Sequence, residues 1–214
     1  MVSPVVGQKS LGIFPPDGKP YGLTYSEHIK NFWKWALKIP SNENPIKDTT
    51  GAKCSVGQEH TNSSVFYLIG SGGGTVARTC EVPAGKGLFI PIVQAEVSGK
   101  EIPNASPDVL DKNVRQDQDS VDVKSLYLKV GDKEYRGAEL DKYRTHTDAF
   151  DVIFPDNGIY GVSKGGLTKA VADGRYVITE PLAKGTYTIH FSSRIQPQEG
   201  SIFAQDVLYK IIAK

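Results

Sequence analysis

The sequence predicts a mainly β protein: a single-domain, jelly-roll-like β-sandwich with one N-terminal amphipathic helix and one short second helix. Segments rich in β-branched and aromatic residues recur along the chain, and turn sequences separate them. Helical periodicity is confined to two segments nearer the front of the chain. The length of 214 residues is ordinary for one large β domain. Together these features favour a sandwich with helices before most of its strands.

Residues 1–20 are expected to form an extended N-terminal arm, and residues 21–214 the single sandwich domain. Prolines at several positions of the arm disfavour a helix there, because proline lacks the backbone donor that a helix needs. An arm of this kind can lie along the edge of a sheet.

The segment YGLTYSEHIKNFWKWALKIP, residues 21–40, predicts the first helix. Thr24 and Glu27 have the spacing of a capping box, in which each side chain satisfies an early backbone donor. Pro40 ends the helix by Ile39, because a residue before proline disfavours α geometry. At about 100° per residue, one apolar stripe faces the core. Its members are Tyr25, Ile29, Phe32, Trp33, Ala36 and Leu37.

Trp35 lies off this stripe, on a flank that it shares with His28 and Asn31. Two interpretations remain open. Either the loop that follows the helix covers the indole, or the indole is a platform on which a sugar or aromatic ligand stacks. In the second case His28 and Asn31 would orient the ligand.

Residues 41–64 have no sustained period and are expected to form a loop that Cys54 pins. The segments SVFYLIG and GLFIPIVQAEV are typical of buried central strands. No Gly-Lys-Ser/Thr sequence follows the glycine-rich stretch 70–74, so we interpret it as a hairpin tip rather than a phosphate-binding loop. Ser106 before Pro107 is a typical start for the short second helix.

The rest of the chain is expected to form strands. Alternating residues on both sides of Gly131-Asp132 predict a hairpin. The segments AFDVIFP, GRYVITE, GTYTIHFSS and SIFAQDVLYKIIA follow, and we expect turns at 156–158, 173–174 and 183–185 to separate them.

Charge and hydropathy exclude two classes of partner. Lysine and arginine total 25 against 24 acidic residues, so the formal net charge is +1, and no global field concentrates nucleic acid. No run approaches the roughly 20 apolar residues of a membrane helix. We therefore expect neither a nucleic-acid partner nor a membrane span.

The two cysteines, Cys54 and Cys80, lack the spacing of a zinc site, and we interpret them as a disulfide. The bond would close a loop of about 27 residues and stabilise the fold by about 3 to 4 kcal/mol in the chain-entropy model. Disulfides persist in oxidising compartments, so we expect a secreted or cell-surface protein. The start MVSPVVGQKS lacks a signal-peptide pattern, which we interpret as a processed chain.

The motifs FWKWALKIP, RTCEVPAGKGLFIPI and AVADGRYVITEPLAKGTYTIHFSS resemble an uncharacterised family of secreted bacterial and archaeal β-sandwich proteins. The resemblance covers about residues 22–213. It implies a secreted, one-domain protein and transfers no catalytic roles. The family's Glu before the tryptophans and its Arg before the first strand Cys correspond here to Glu27 and Arg78. The family usually has Trp straight after that Glu, where this chain has His28.

Glu27 is a candidate general acid because it shares a helix with tryptophan and histidine, although its capping position alone also explains it. A glycosidase needs a second carboxylate about 5 to 10 Å away. Asp48, Glu59 and Glu96 are candidates for that role, and the sequence does not choose among them.

Gln58, Arg78 and Gln94 are polar residues in or beside apolar stretches, where a buried polar group must find a partner. Either they line one pocket with Glu27, or their side chains form hydrogen bonds to the backbone of nearby loops. No metal and no cofactor are expected. The histidines occur singly, and DQDSVD at 117–122 lacks the central Gly and closing Glu of a calcium loop.

Two hypotheses of function follow. In the first, the protein recognises an extracellular carbohydrate at the surface of helix 25–39 and loop 41–64. If it also hydrolyses that ligand, it is a glycoside hydrolase with paired carboxylates. In the second, it is a non-enzymatic cell-surface or filament subunit whose N-terminal arm exchanges as a strand with another subunit.

Overall fold

Two five-stranded sheets pack together in the computed structural model, which describes residues 11–59, 61, 63–197 and 200–214. The predicted β-sandwich is therefore confirmed. The described α-helices are α1 (Tyr25–Lys38), α2 (Pro107–Asp119) and the short α3 (Ala138–Asp141), and three single 3-10 turns lie at Pro20–Gly22, Pro45–Lys47 and Val123–Ser125. The described strands are β1 (Val65–Tyr67), β2 (Gly74–Val82), β3 (Gly87–Ser98), β4 (Tyr127–Val130), β5 (Lys133–Arg136), β6 (Arg144–His146), β7 (Phe150–Phe154), β8 (Gly166–Ile178), β9 (Gly185–Ile195) and β10 (Phe203–Ala213).

Sheet I has the strand order β1-β3-β8-β6, and β7 also pairs with β8. Sheet II has the order β2-β10-β9-β4-β5. A jelly roll is antiparallel throughout. Here the pairs β1/β3 and β2/β10 are parallel, and the other pairs are antiparallel. The alternating burial of β2, β9 and β10 shows that each presents one face to the core.

Helix α1 begins with the predicted capping box between Thr24 and Glu27 and ends before Ile39. It packs against β6, β7 and β8. Phe32 stacks on Phe89 of β3, with ring centroids 5.0 Å apart, and the Trp33 indole donates to the Tyr176 hydroxyl at 3.4 Å. The apolar stripe of α1 is thus part of the main core, as predicted.

Helix α2 lies against β3 and β8 and begins at the predicted Ser106 cap. Leu110 and Val114 pack there with Val171. By strand register, Val97 stands opposite Val171, whereas Glu96 stands opposite Ala172. Because side chains alternate along a strand, Glu96 projects from the face of sheet I that α2 does not cover.

Two expected turns are wrong. The Asp173-Gly174 pair lies inside β8, where the buried Asp173 carboxylate accepts hydrogen bonds from Arg144. A Cβ on Gly174 would lie 2.5 Å from the Val93 carbonyl oxygen, so glycine permits a close strand approach here rather than a turn. The glycine-rich stretch 70–74 is not a hairpin tip either, because it carries the chain from β1 in sheet I to β2 in sheet II.

The described part of the N-terminal arm lies on its own chain. Ile13 forms a β-bridge with Thr179 just beyond β8. The Phe14 carbonyl accepts a hydrogen bond from the Tyr25 hydroxyl at 3.0 Å, which fixes the arm to α1. Residues 1–10 of the predicted arm lie outside the described residues.

Cys54 and Cys80 form the predicted disulfide, with their Cα atoms 5.8 Å apart. The bond ties the loop after α1 to β2 of sheet II. Within the described ranges, the helices are all too short or too polar to cross a membrane.

Candidate functional site

The surface predicted from the sequence does contain a cleft, of about 540 Å³, between α1 and the following loop. Asn31 and Trp35 line it together with Lys34, Lys38, Glu43 and Glu59, among others. Trp35, however, is only 6% exposed. Its indole donates to the Val56 carbonyl at 3.0 Å and packs against Tyr67. The first interpretation of Trp35 therefore holds: the loop covers it, and it offers no open platform.

Glu27 and His28 do not line this cleft. The exposed Glu27 carboxylate accepts hydrogen bonds from the Thr24 backbone and hydroxyl, which lower its pKa. His28 is buried, with Nε2 2.8 Å from the Pro20 carbonyl oxygen, and burial lowers its pKa. Glu27 is thus a helix cap and His28 an anchor for the turn before α1. Neither side chain therefore joins Asn31 in lining the cleft.

Asp48 organises its own loop. Its carboxylate accepts backbone hydrogen bonds from Thr50, Gly51 and Lys53 at 2.9 Å. Burial alone would raise the pKa of Asp48, but these bonds and one from the Thr50 hydroxyl outweigh it, so the pKa is lowered. An ionised carboxylate held by four donors is a loop anchor rather than a proton donor.

Gln58 and Arg78 form hydrogen bonds to backbone groups rather than lining a pocket with Glu27. Gln58 exchanges two hydrogen bonds with the Tyr67 backbone and so pairs with β1 like a neighbouring strand. Arg78 Nη1 donates to the carbonyls of Ile69 and Gly70 at 2.8 and 2.9 Å. Its Nε donates to the Asp48 carbonyl, so the buried guanidinium holds two loops against sheet II.

Glu96 and Gln94, by contrast, do come together, in a second cavity of about 290 Å³. We call it the inter-sheet cavity, because β3 of sheet I forms one side and the start of β10 in sheet II another. Its lining residues are Ile46, Ser71, Gly72, Gln94, Ala95, Glu96, Glu101, Tyr160, Phe203 and Gln205.

The inter-sheet cavity contains polar oxygens without donors. Glu96 is only 7% exposed, and no described donor lies in full hydrogen-bond geometry with either of its carboxylate oxygens, although the Ser98 hydroxyl and the Glu101 carboxyl group lie near enough to affect its pKa. Oε1 of Gln94, two residues earlier on β3, likewise has no described donor in hydrogen-bond geometry. Buried polar atoms are nearly always paired, so these three acceptors together indicate a place where another molecule donates.

Glu101 supplies a second carboxyl group to the cavity. The Ser98 backbone and hydroxyl donate to its Oε2 at 3.0 and 2.7 Å and hold it in the turn after β3. Burial and the Glu101 carboxylate raise the pKa of Glu96 well above its usual range, and burial raises that of Glu101. The two carboxyl groups interact with each other, and their like charges disfavour the ionisation of Glu96.

Tyr160 stands at the mouth of the cavity in a strained conformation. Its φ of 60° is in the left-handed region, which a bulky residue rarely adopts. The residue is 47% exposed, yet its hydroxyl is enclosed, and burial with the fields of Glu96 and Glu101 raises its pKa. The Tyr160 side chain thus lines the cavity while part of it stays exposed to solvent.

Gln205 fixes the opposite wall. Its Nε2 donates to the Ile92 carbonyl at 2.9 Å, and its Oε1 accepts from the Ser71 backbone at 2.9 Å. Both polar atoms of the Gln205 side chain are thus hydrogen-bonded within the protein. They join β10 to β3 and to the segment that connects β1 with β2.

Sequence reasoning selected Glu96 and Gln94 but missed Glu101, Tyr160 and Gln205. A signal for Glu101 was present, because Ser98 and Glu101 have the Ser-x-x-Glu spacing that the structure uses in the turn. Nothing local distinguishes Tyr160 or Gln205, since both depend on contacts with distant parts of the chain.

Comparison of the chain with models of known protein families, with curated proteins and with solved structures found no match.

Proposed function

We propose that the protein binds an extracellular carbohydrate in the inter-sheet cavity, rather than at the surface of helix α1 and its loop. The observation that carries this proposal is the set of three unpartnered acceptors on Gln94 and Glu96. A sugar presents hydroxyl groups that can donate to such acceptors and accept from a protonated carboxyl group in return.

The size and the walls of the cavity support a small polar ligand. A volume of about 290 Å³ is near the lower end for ligand pockets, which suits one sugar ring. Tyr160 and Phe203 add apolar surface beside the polar oxygens. Sugar rings combine apolar faces with hydroxyl edges, so this mixture of walls matches both of their surfaces.

Binding is better supported than hydrolysis. The raised pKa of Glu96 suits a general acid at neutral pH. Two-carboxylate glycosidases, however, place their carboxyl groups about 5 Å or more apart. Glu96 and Glu101 interact with each other in one cavity, which favours a joint role in holding a ligand.

The disulfide between Cys54 and Cys80 supports a secreted protein, because disulfides persist in oxidising compartments. An extracellular carbohydrate would be accessible to such a protein. Secretion is part of the proposal. It is tested by fractionating the producing cells and asking whether the mature chain is outside the cytoplasm.

A panel of soluble mono- and oligosaccharides, scored by calorimetry and by product release, tests the proposal. A matched pair of acid-to-amide variants locates the site: Glu101→Gln in the inter-sheet cavity and Glu43→Gln in the cleft beside α1. We expect a saccharide that binds the wild type and the Glu43 variant and binds the Glu101 variant at least about tenfold more weakly. Binding lost only in the Glu43 variant, or no binding by the wild type, would contradict the proposal.

Assembly through the N-terminal arm is the alternative function. The contacts of Ile13 and Phe14 with their own chain favour the carbohydrate proposal over strand exchange. Removing residues 1–10 leaves those contacts in place. Under the carbohydrate proposal, light scattering gives the same oligomeric state for the full and the shortened chain. An oligomer that dissociates when the chain is shortened would support strand exchange.

A further inference from the structure

We infer that Asn157 is a site of spontaneous covalent modification, at which its side chain cyclises onto the backbone nitrogen of Gly158 and then opens to aspartate or isoaspartate. Asn157 is the only asparagine in the sequence that is followed by glycine. It lies in the loop between β7 and β8. The inference does not depend on saccharide binding, because the modification can be measured on the protein alone.

The reaction requires no reagent other than water. The Gly158 nitrogen attacks Cγ of Asn157, the bond from Cγ to the side-chain amide nitrogen breaks, and ammonia leaves with the proton of Gly158. Water then opens the cyclic imide. Opening at Cγ gives aspartate, and opening at the backbone carbonyl carbon gives isoaspartate. Either product has a carboxyl group in place of a neutral amide, which changes the charge of the loop.

The Asn157 side chain is free to react. It is exposed and forms no hydrogen bond with the described residues. Its backbone φ of 55° is in the left-handed region, which asparagine adopts more readily than most residues. Asn157 also lines a surface cavity of about 480 Å³ with Ser41 and Lys47, among others. Water therefore reaches both the amide and the imide that it forms.

The nucleophile is also favourably placed. The Gly158 N–H makes no hydrogen bond with a described residue, so its attack breaks no contact. The Asn157 carbonyl, which belongs to the same peptide bond, accepts a hydrogen bond from the Ser41 backbone at 2.9 Å. This donor stabilises the negative charge that develops on the carbonyl oxygen when the nitrogen loses its proton.

The packing around Gly158 keeps its nitrogen unhindered. A Cβ at this position would lie 3.1 Å from a ring carbon of Phe154, so the fold disfavours a side chain beside the attacking nitrogen. Asn157 also donates its backbone N–H to the Ser163 carbonyl at 3.1 Å and so closes the base of the loop that carries Tyr160. Isoaspartate inserts one extra carbon into the backbone at this base, and either product places a new negative charge beside Asp156.

Incubation of the folded wild type at pH 8 and 37 °C, followed by peptide mapping with mass spectrometry, tests the inference. We expect a mass gain of about 1 Da at Asn157 that increases with time. Chromatography should resolve two products, the aspartate and the isoaspartate peptides. Asn157→Gln should remove the gain, because the longer side chain must close a larger ring.

Asn104 is the matched control within the same chain. It is exposed and has a φ of 62°, but Ala105 follows it, and the alanine methyl group hinders attack by the next nitrogen. We expect modification at Asn104 to be at least about tenfold slower than at Asn157.

Two results would overturn the inference. The first is no mass gain at Asn157 in the folded protein while the same segment reacts in guanidinium chloride, since the fold would then protect the residue. The second is an equal rate at Asn157 and Asn104, since the glycine and the Ser41 hydrogen bond would then have no effect. Both comparisons use the wild-type chain and hold even if the Asn157 variant does not fold.

Discussion

Glu96 and Glu101 face one cavity from a strand and from the turn that follows it, and the charge of Glu101 contributes to the raised pKa of Glu96. Glu101 receives two hydrogen bonds from Ser98, whereas Glu96 receives none from the described residues. The pair thus combines one positioned carboxyl group with one that lacks a donor. A stable fold gains little from this arrangement, because an ionised buried acceptor without a partner costs free energy.

Replacing Glu96 with Gln should stabilise the protein at pH 8, by about 1 to 3 kcal/mol. A raised pKa in the fold means that the stability contributed by protonated Glu96 is full below its unfolded pKa of about 4.3 and is lost as pH rises through the folded pKa. Gln stays neutral, so the variant should lack this loss. Urea unfolding at pH 4 and pH 8 measures it, with Glu81→Gln as the control. A variant that is less stable than wild type at pH 8 would contradict the assignment.

Replacing Tyr160 with Gly should separate ligand binding from stability. Glycine adopts a φ of 60° without strain, and this gain of about 1 kcal/mol offsets the lost ring contacts. Saccharide affinity should fall by about three- to tenfold, since an aromatic contact contributes about 1 kcal/mol. Asn157→Gly is the matched control, because Asn157 has a φ of 55° in the same loop but does not line the cavity. Equal saccharide affinities in the Tyr160 and Asn157 variants would show that Tyr160 does not contact the ligand.

Replacing Arg78 with Met should lower the free energy of unfolding by about 3 kcal/mol or more. The change leaves the carbonyls of Gly70 and Asp48 without the buried Arg78 donor and removes one of the two donors to the Ile69 carbonyl, which keeps the Tyr209 hydroxyl. Thermal and urea unfolding measure the loss. Arg194→Met on the exposed face of β9 should change stability by less than about 0.5 kcal/mol. Comparable small effects in both variants would show that Arg78 does not anchor the two loops to sheet II.

Removing the N-cap hydroxyl with Thr24→Ala should lower stability by about 1 kcal/mol. The companion change Glu27→Gln should leave saccharide binding and any product release unchanged, because Glu27 caps α1 and does not line the inter-sheet cavity. Circular dichroism melts and the saccharide assay report the two effects. Loss of saccharide binding in Glu27→Gln would indicate that the ligand binds at α1 and not in the inter-sheet cavity.

Breaking the disulfide with the double change Cys54→Ala and Cys80→Ala should cost about 3 to 4 kcal/mol in the chain-entropy model. Unfolding of the variant measures the cost, and mass spectrometry after alkylation, with and without reduction, reports the bond in the wild type. Alkylation of unreduced wild type at both cysteines would contradict the bond and weaken the case for secretion.

The elements that the sequence predicted well are those that local hydrogen bonding encodes. The capping box of Thr24 and Glu27, the Ser106 cap and the hairpin at Gly131-Asp132 all involve residues within a few positions of each other. Asp173-Gly174 has the composition of a turn, yet Arg144 pairs with the aspartate from β6 and the backbone of β3 approaches the glycine. Contacts with residues distant in sequence stabilise a strand at Asp173-Gly174, so the turn predicted from local propensity was wrong.

The candidate site was predictable only in part, for the same reason. The alternation of Gln94, Glu96 and Ser98 along one face of β3 is visible in the sequence, and Glu96 was among the candidate acids. Its neighbours Tyr160 and Gln205 come from a loop and a strand more than 60 residues away in sequence, and only the packing of the two sheets brings them to the cavity.

Hydrogen-deuterium exchange with a saccharide found in the panel tests the location of the site most directly. We expect slower exchange on ligand binding in residues 94–101, in the loop 155–165 and at the start of β10, with no change in α1 or in residues 53–59. Protection confined to α1 and residues 53–59, with the inter-sheet cavity unaffected, would contradict the proposed site.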